Sequence, residues 1–156
     1  VTDRSFTITR HLDASPHQVF RAWTDPAHLG WFFNPGQPIP ADPIEVDARE
    51  GGEWRQRMVV DDATVYTTGG LYREIVRDER IVFAWGAVDG WPALDPEDLD
   101  AVPSVTVTLT PSGEGTTMIV TVALADSVPE EGVREWLANG IRDGWTQTVD
   151  RLVAAA

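Results

Sequence analysis

The sequence predicts an α+β fold: a curved antiparallel sheet wrapped around a long C-terminal helix, with two short helices after the first strand. Three observations carry this. From Ser127 to Val153, apolar and small residues recur with the i, i+3, i+4, i+7 rhythm of a helix with one buried face: Val133, Trp136, Leu137, Gly140, Ile141, Gly144, Trp145, Thr148, Val149 and Leu152. The middle of the chain is a succession of alternating apolar and polar segments separated by turn residues, which reads as about six strands. A curved sheet of that size cannot cover its own concave face, and the C-terminal helix is the element able to fill it.

The elements follow in order. Phe6, Ile8 and Leu12 alternate with Thr7, Thr9 and His11, the pattern of a half-buried strand. Arg10 shares the apolar parity, so it needs a partner or a place near the strand end. Ser15-Pro16-His17-Gln18 opens a helix, with Ser15 as cap, Pro16 in the first turn and Gln18 closing a capping box. Asp25-Pro26 breaks it, and a second short helix runs to about Phe33. Asn34 to Pro43 is a Pro- and Gly-rich loop. Strands are expected over Ile44–Arg49, Glu53–Val60, Thr64–Arg77 and Arg80–Val88, with Gly51-Gly52 and Asp61-Asp62 as turns and a bulge at Gly69-Gly70. Two further strands contain Val105, Val107 and Leu109, then Met118, Val120, Val122 and Leu124, joined by a hairpin over Pro111–Gly115. The last helix starts with a Ser127/Glu130 capping box. Gly140 and Gly144 on its buried face cost about 1 kcal/mol each relative to alanine. They either allow a neighbouring element to approach or leave room for something that is not protein.

Composition narrows the function classes. A chain of 156 residues reads as one domain, residues 1–156, with no internal repeat. No apolar run approaches the roughly 18 residues of a membrane span, and no signal-peptide pattern opens the chain. The net charge of −13 argues against nucleic-acid or anionic-membrane partners. Cysteine is absent, which suits a cytoplasmic location and excludes a thiol nucleophile. All 12 basic residues are Arg, so Schiff-base chemistry on a lysine is excluded. His11, His17 and His28 lack metal-ligand spacing, and no phosphate cradle, nucleophile elbow or dinucleotide fingerprint occurs. No cofactor is expected.

Several stretches together resemble the START-like (SRPBCC) superfamily. They are Val19-Phe20-Arg21-Ala22-Trp23-Thr24-Asp25-Pro26; Trp31 with Asn34-Pro35-Gly36; Asp47-Ala48-Arg49-Glu50-Gly51-Gly52-Glu53-Trp54-Arg55; and Gly70-Leu71-Tyr72-Arg73-Glu74-Ile75 leading into Arg80-Ile81-Val82-Phe83. Gly144-Trp145 and Asp150-Arg151-Leu152 complete the set. The chain looks like the branch named after activators of the Hsp90 ATPase, and the resemblance covers nearly its whole length. It implies the helix-grip fold of the birch-pollen allergen. It also implies a central cavity, which superfamily members use to bind or transform hydrophobic small molecules such as lipids, hormones and polyketides. In this branch the bacterial members are mostly uncharacterised. The eponymous members act on a chaperone as a domain joined to another, so fold is implied more securely than activity.

Among acids, Glu74 is the candidate. It shares strand parity with Tyr72, and a half-buried carboxylate there could act as an acid or base; the alternative is a structural pair with an Arg, or plain exposure. Asp47 and Arg49 are expected to hold the turn before Gly51-Gly52. The candidate ligand-binding residues are Trp31, Phe32, Trp54, Met58, Tyr72, Phe83, Trp85, Met118, Trp136, Ile141 and Trp145, expected to face the groove between sheet and helix. Trp136, Ile141 and Trp145 are expected to face the sheet, with Gly140 and Gly144 setting the cavity's depth. Asp89–Pro103 is an acidic loop, either a lid or a solvated connection. Three functions remain open: binding of a hydrophobic small molecule; a cofactor-free cyclase, aromatase or hydrolase; or an interaction protein with a chaperone partner. A homodimer is compatible with each.

Overall fold

In the computed structural model, residues 4–32, 44–61 and 63–155 are described. Seven antiparallel strands form one sheet in the order β1-β7-β6-β5-β4-β3-β2: β1 (Ser5–Leu12), β2 (Glu45–Val46), β3 (Glu53–Asp61), β4 (Thr64–Val76), β5 (Arg80–Trp85), β6 (Ser104–Ser112) and β7 (Gly115–Ala123). Helix α1 (Pro16–Thr24) and a 3-10 helix (Pro26–Phe32) follow β1, and α2 (Glu130–Ala138) and α3 (Ile141–Ala155) close the chain. A single 3-10 turn, Leu99–Ala101, interrupts the connection between β5 and β6. This is the helix-grip arrangement. The predicted loop over Asn34–Pro43, including Asn34-Pro35-Gly36, lies outside the described residues, and of the predicted Ile44–Arg49 strand only Glu45–Val46 pairs.

Alternation in the sequence becomes one continuous apolar face across the sheet. Trp54, Tyr72, Phe83, Val105, Val122 and Phe6 come from six successive strands and are all buried. The register aligns them: Tyr72 lies opposite Phe83, Phe83 opposite Val105, Val105 opposite Val122, and Val122 opposite Phe6. From the helical side, Val19, Trp23, Leu29, Ile141, Trp145, Val149 and Leu152 complete the core. Burying each such side chain stabilises the fold by about 1.5–3 kcal/mol. The Ser15–Gln18 capping box is present in both directions, and Asp25 ends α1 as expected. Arg10 finds its partner in Asp150 on α3, Nε to Oδ1 at 2.7 Å.

Four sequence expectations about the fold are corrected. The stretch Ser127–Val153 is two helices, because Gly140 takes a left-handed conformation (φ +76) and its N–H donates to the Leu137 carbonyl, ending α2. Such a cap favours glycine, which has no Cβ to clash there. The Ser127/Glu130 capping box does not form: Pro129 is the N-cap of α2 and no side chain caps it. Gly140 and Gly144 are exposed, not on the buried face.

The fourth correction concerns β4. Its bulge falls between Tyr72 and Glu74, not at Gly69-Gly70. At Gly69 the backbone runs so close to the Trp54 carbonyl that a Cβ has no room, and a Cβ at Gly70 would meet the Phe83 ring. These glycines permit close approach rather than a bulge. The extra residue at Arg73 shifts the side-chain parity by one. Ile75 opposite Ile81 therefore turns inward, while Glu74 opposite Val82 turns outward.

Candidate functional site

Beneath α3, the centre of the sheet is filled by protein. Trp54, Tyr72 and Phe83 are each 1% exposed and Met118 is 0% exposed. Their rings pack edge to face, Trp54 on Phe83 at 5.7 Å and Tyr72 on Phe83 at 6.3 Å between centroids. Trp23 adds its indole N–H to the Met118 sulfur at 3.4 Å. These predicted ligand contacts are thus core residues that support the cavity from below. The deep groove is packed, and its open part lies toward one end.

There, a pocket of about 200 Å³ opens between β3, β4 and β5 on one side and the start of α3 on the other. Of the predicted binding residues, Phe32, Met58, Trp85, Ile141 and Trp145 line it. Trp31 faces a different cleft, of about 290 Å³, between α1 and the end of α3. That cleft is larger but gathers no other predicted residue. Trp136 stands behind the first pocket, its ring 6.2 Å from Trp85.

The sequence reading missed several members of the lining. Tyr66 and Thr68 enter from β4, upstream of the tight Gly69-Gly70 approach. Thr68 lies opposite Gln56, so two buried polar residues sit side by side on the inner face. Trp91 comes from the acidic loop. Its backbone N–H donates to the Thr67 carbonyl at 2.8 Å, and its ring packs on Trp85 (5.2 Å) and Tyr66 (6.4 Å). It is 45% exposed, at the edge of the pocket. The loop behind it is neither wholly solvated nor detached: Leu94 and Val102 are buried against Ala84, while Asp89, Asp95, Glu97, Asp98 and Asp100 all face solvent. A concentration of acids in the sequence concealed two apolar anchors.

Gly140 and Gly144 form the helical rim, and a Cβ built on either meets nothing within 4 Å. They stand beside open space rather than against a neighbouring element. Arg151 closes the inner end. Its Nε donates to the Trp31 carbonyl (3.0 Å), and Nη2 reaches the Phe32 carbonyl (3.3 Å) and the Thr148 hydroxyl (3.2 Å). Partial burial lowers the pKa of this guanidinium below its ordinary value, but it remains a cation at neutral pH.

Among the described residues, four buried side-chain polar atoms have no hydrogen-bond partner: Trp85 Nε1, Trp145 Nε1, Gln56 Nε2 and the Tyr72 hydroxyl. Gln56 has spent its carbonyl on the Trp54 indole N–H (3.2 Å), leaving its amide as a donor. Burial, with the negative charge of Asp47 nearby, raises the Tyr72 pKa strongly, and burial raises that of Tyr66. Both phenols are therefore neutral at physiological pH.

Glu74, the candidate acid, is on the outer face. Its side chain is 44% exposed and its Oε1 lies 3.5 Å from Arg80 Nε, the structural-pair alternative. Asp47 and Arg49 form an ion pair at 2.8 Å, and the backbone around them closes the turn onto Gly52. The three histidines are scattered: His17 bonds Asp78 at 2.9 Å, His28 contacts Arg21 at 3.2 Å, and His11 lies 3.7 Å from Asp13. Among the described residues, no group of three His, Asp or Glu side chains is arranged to hold a metal ion, and no helix is long and apolar enough to cross a membrane.

Comparison with known proteins agrees with this architecture. The model of one family, described as activator of Hsp90 ATPase homolog 1-like protein, matches residues 13–156. No protein with a curated description matches the sequence. Among solved structures, protein NE0264 from Nitrosomonas europaea superposes with a TM-score of 0.75 at 20% identity, covering 99% of this chain and 94% of that one. Ms6760 from Mycobacterium smegmatis gives 0.74 at 20% identity, over 97% and 89%. Mll3558 from Rhizobium loti gives 0.69 at 28% identity, over 97% and 96%.

Proposed function

The chain belongs to the activator of Hsp90 ATPase homolog 1-like family, and from that premise we propose that it binds a hydrophobic small molecule in the pocket between the sheet and α3. One observation carries the reading. An opening of about 200 Å³ is walled by Phe32, Met58, Trp85, Trp91 and Trp145, and its helical rim is made of two glycines with free space above them. The aromatic and apolar wall is joined by the polar side chains of Tyr66, Thr68, Asn139, Gln147, Thr148 and Arg151, and small-molecule sites combine such walls with polar groups that orient the ligand. The volume exceeds the roughly 150 Å³ of an apolar cavity that admits benzene, so a ligand of one or two rings fits.

Acid–base catalysis has less support. Among the described residues lining the pocket there is no carboxylate and no imidazole; the titratable groups are Tyr66, held neutral by burial, and Arg151, engaged with backbone carbonyls. Binding without turnover fits this lining better.

The test uses tetralin and its ketone 1-tetralone, two-ring compounds of suitable size. Saturable binding below millimolar concentration, with a rise in Tm that follows ligand concentration, is expected for at least one of them. Gly144→Leu is expected to abolish it by filling the rim. If neither compound saturates, the reading is wrong.

A further inference from the structure

We propose that Thr68 decides which ring compounds the pocket holds: its hydroxyl binds an oxygen carried on the ligand's ring, a ketone or a hydroxyl, so that an oxygenated ring is taken in preference to a hydrocarbon. This rests on the pocket being a small-molecule site and names the side chain and the ligand chemistry that set its selectivity.

Among the described residues two threonines are buried, Thr68 and Thr116. Buried hydroxyls are normally paired, and Thr116 shows the usual outcome: its hydroxyl donates to the Ala14 carbonyl at 2.7 Å. Thr68 is 2% exposed, and its hydroxyl makes no hydrogen bond within the protein. Its oxygen is nevertheless not one of the four sealed polar atoms, so the little surface that Thr68 keeps includes the hydroxyl. Thr68 lines the pocket, and that surface opens into it. The strand holds the side chain in place from both sides. The Thr67 carbonyl accepts the Trp91 backbone N–H, and Gly69 lies so close to the Trp54 carbonyl that a Cβ has no room. A polar group on so constrained a backbone is suited to orienting a ligand.

The small opening is what makes this hydroxyl selective. Solvent entering the pocket can reach it, but a ring that fills the pocket displaces that solvent. A hydrocarbon offers nothing in exchange, and the hydroxyl is left buried without a partner. A ring ketone accepts its proton, and a ring hydroxyl can accept or donate, because threonine does both. Tyr66, two residues earlier on the same strand face, differs in exposure. It is half-buried beside the exposed Trp91, where solvent continues to reach the residue. The selective group is therefore the enclosed hydroxyl rather than the phenol.

Tetralin and 1-tetralone differ by one carbonyl, and isothermal titration calorimetry with both on the intact protein tests the proposal. The ketone is expected to bind about fivefold more tightly than tetralin, the effect of one hydrogen bond. Thr68→Val keeps the branched shape and removes the hydroxyl. It is expected to erase most of that preference, and to do so partly by tightening tetralin, which no longer strands a polar group. Thr68→Ser, which restores a hydroxyl, is expected to retain the preference, as is Tyr66→Phe. Circular dichroism establishes that each variant folds. Equal or weaker binding of the ketone by the unmodified protein overturns the inference and leaves the binding site standing. A preference that survives in Thr68→Val, or that disappears in Tyr66→Phe, also overturns it, because the oxygen is then held elsewhere. Failure of both compounds to bind overturns the inference and the site together.

Discussion

The Arg151 guanidinium donates from Nε to the Trp31 carbonyl oxygen at 3.0 Å, tying the end of α3 to the 3-10 helix that precedes the pocket wall. A second nitrogen reaches the Phe32 carbonyl and the Thr148 hydroxyl. One planar side chain thus satisfies backbone acceptors at a helix end and sets the position of Phe32 against Trp145, whose rings are 5.9 Å apart. Arg151→Met keeps the apolar stem and removes every donor. It is expected to lower stability by about 1–3 kcal/mol, read from the urea midpoint, and to weaken ligand binding through Phe32. Arg151→Lys is expected to recover only part of the loss, because a point charge cannot reproduce the fork.

Gly140 and Gly144 look alike in the sequence and should behave oppositely. Gly140 has φ +76, so Gly140→Ala forces an L-residue into the left-handed region and should cost about 1–2 kcal/mol. Gly144 lies inside α3 with open space where a Cβ would go, so Gly144→Ala should stabilise by up to about 1 kcal/mol through helix propensity. Thermal unfolding of the two variants side by side measures the contrast. Equal shifts would show that the break between α2 and α3 does not depend on Gly140.

The chain has only two tyrosines, and both have pKa values above the ordinary 10.0 because burial disfavours the phenolate. For an acid whose folded pKa is raised, the stability it contributes is intact below the unfolded value and is lost as pH rises beyond it. Native protein is therefore expected to show little phenolate absorbance at pH 10, whereas protein in urea titrates normally. Stability should fall progressively above pH 10. A phenolate signal at pH 10 as large in folded protein as in urea would contradict the burial of these residues.

Glu74→Gln separates the outward carboxylate from any role in the site. The pair with Arg80 is exposed on both sides, so its loss should change stability by well under about 1 kcal/mol. Binding of 1-tetralone is expected to be unchanged. Weakened binding in this variant would put the carboxylate back in the candidate machinery.

Strand alternation and helix periodicity made the architecture readable before any coordinates. Phe6/Ile8, Val105/Val107 and Met118/Val120 declare their faces because side chains on a strand alternate strictly. Ser15 and Gln18 declare a helix start because the cap is a local hydrogen bond between residues close in sequence. The site was only partly readable. Aromatic side chains identified the groove, but periodicity cannot distinguish a ring that lines space from one that fills it. Trp54 and Phe83 fill it; Trp85 and Trp145 border it. Trp91 was hidden in a segment whose acids suggested solvent.

The sequence by itself determined the seven-strand sheet, the helical gripping segment, the acidic and cysteine-free character, and the family. All of these follow from local periodicity, composition or contiguous motifs. Tertiary structure alone decided that a bulge at Arg73 turns Glu74 outward, that Gly140 divides the C-terminal helix in two, and that two indole N–H groups beside the pocket lack acceptors. A one-residue slip in register, a left-handed cap and an unmet hydrogen bond each depend on where distant parts of the chain meet. Such meetings leave no periodic trace in the order of residues.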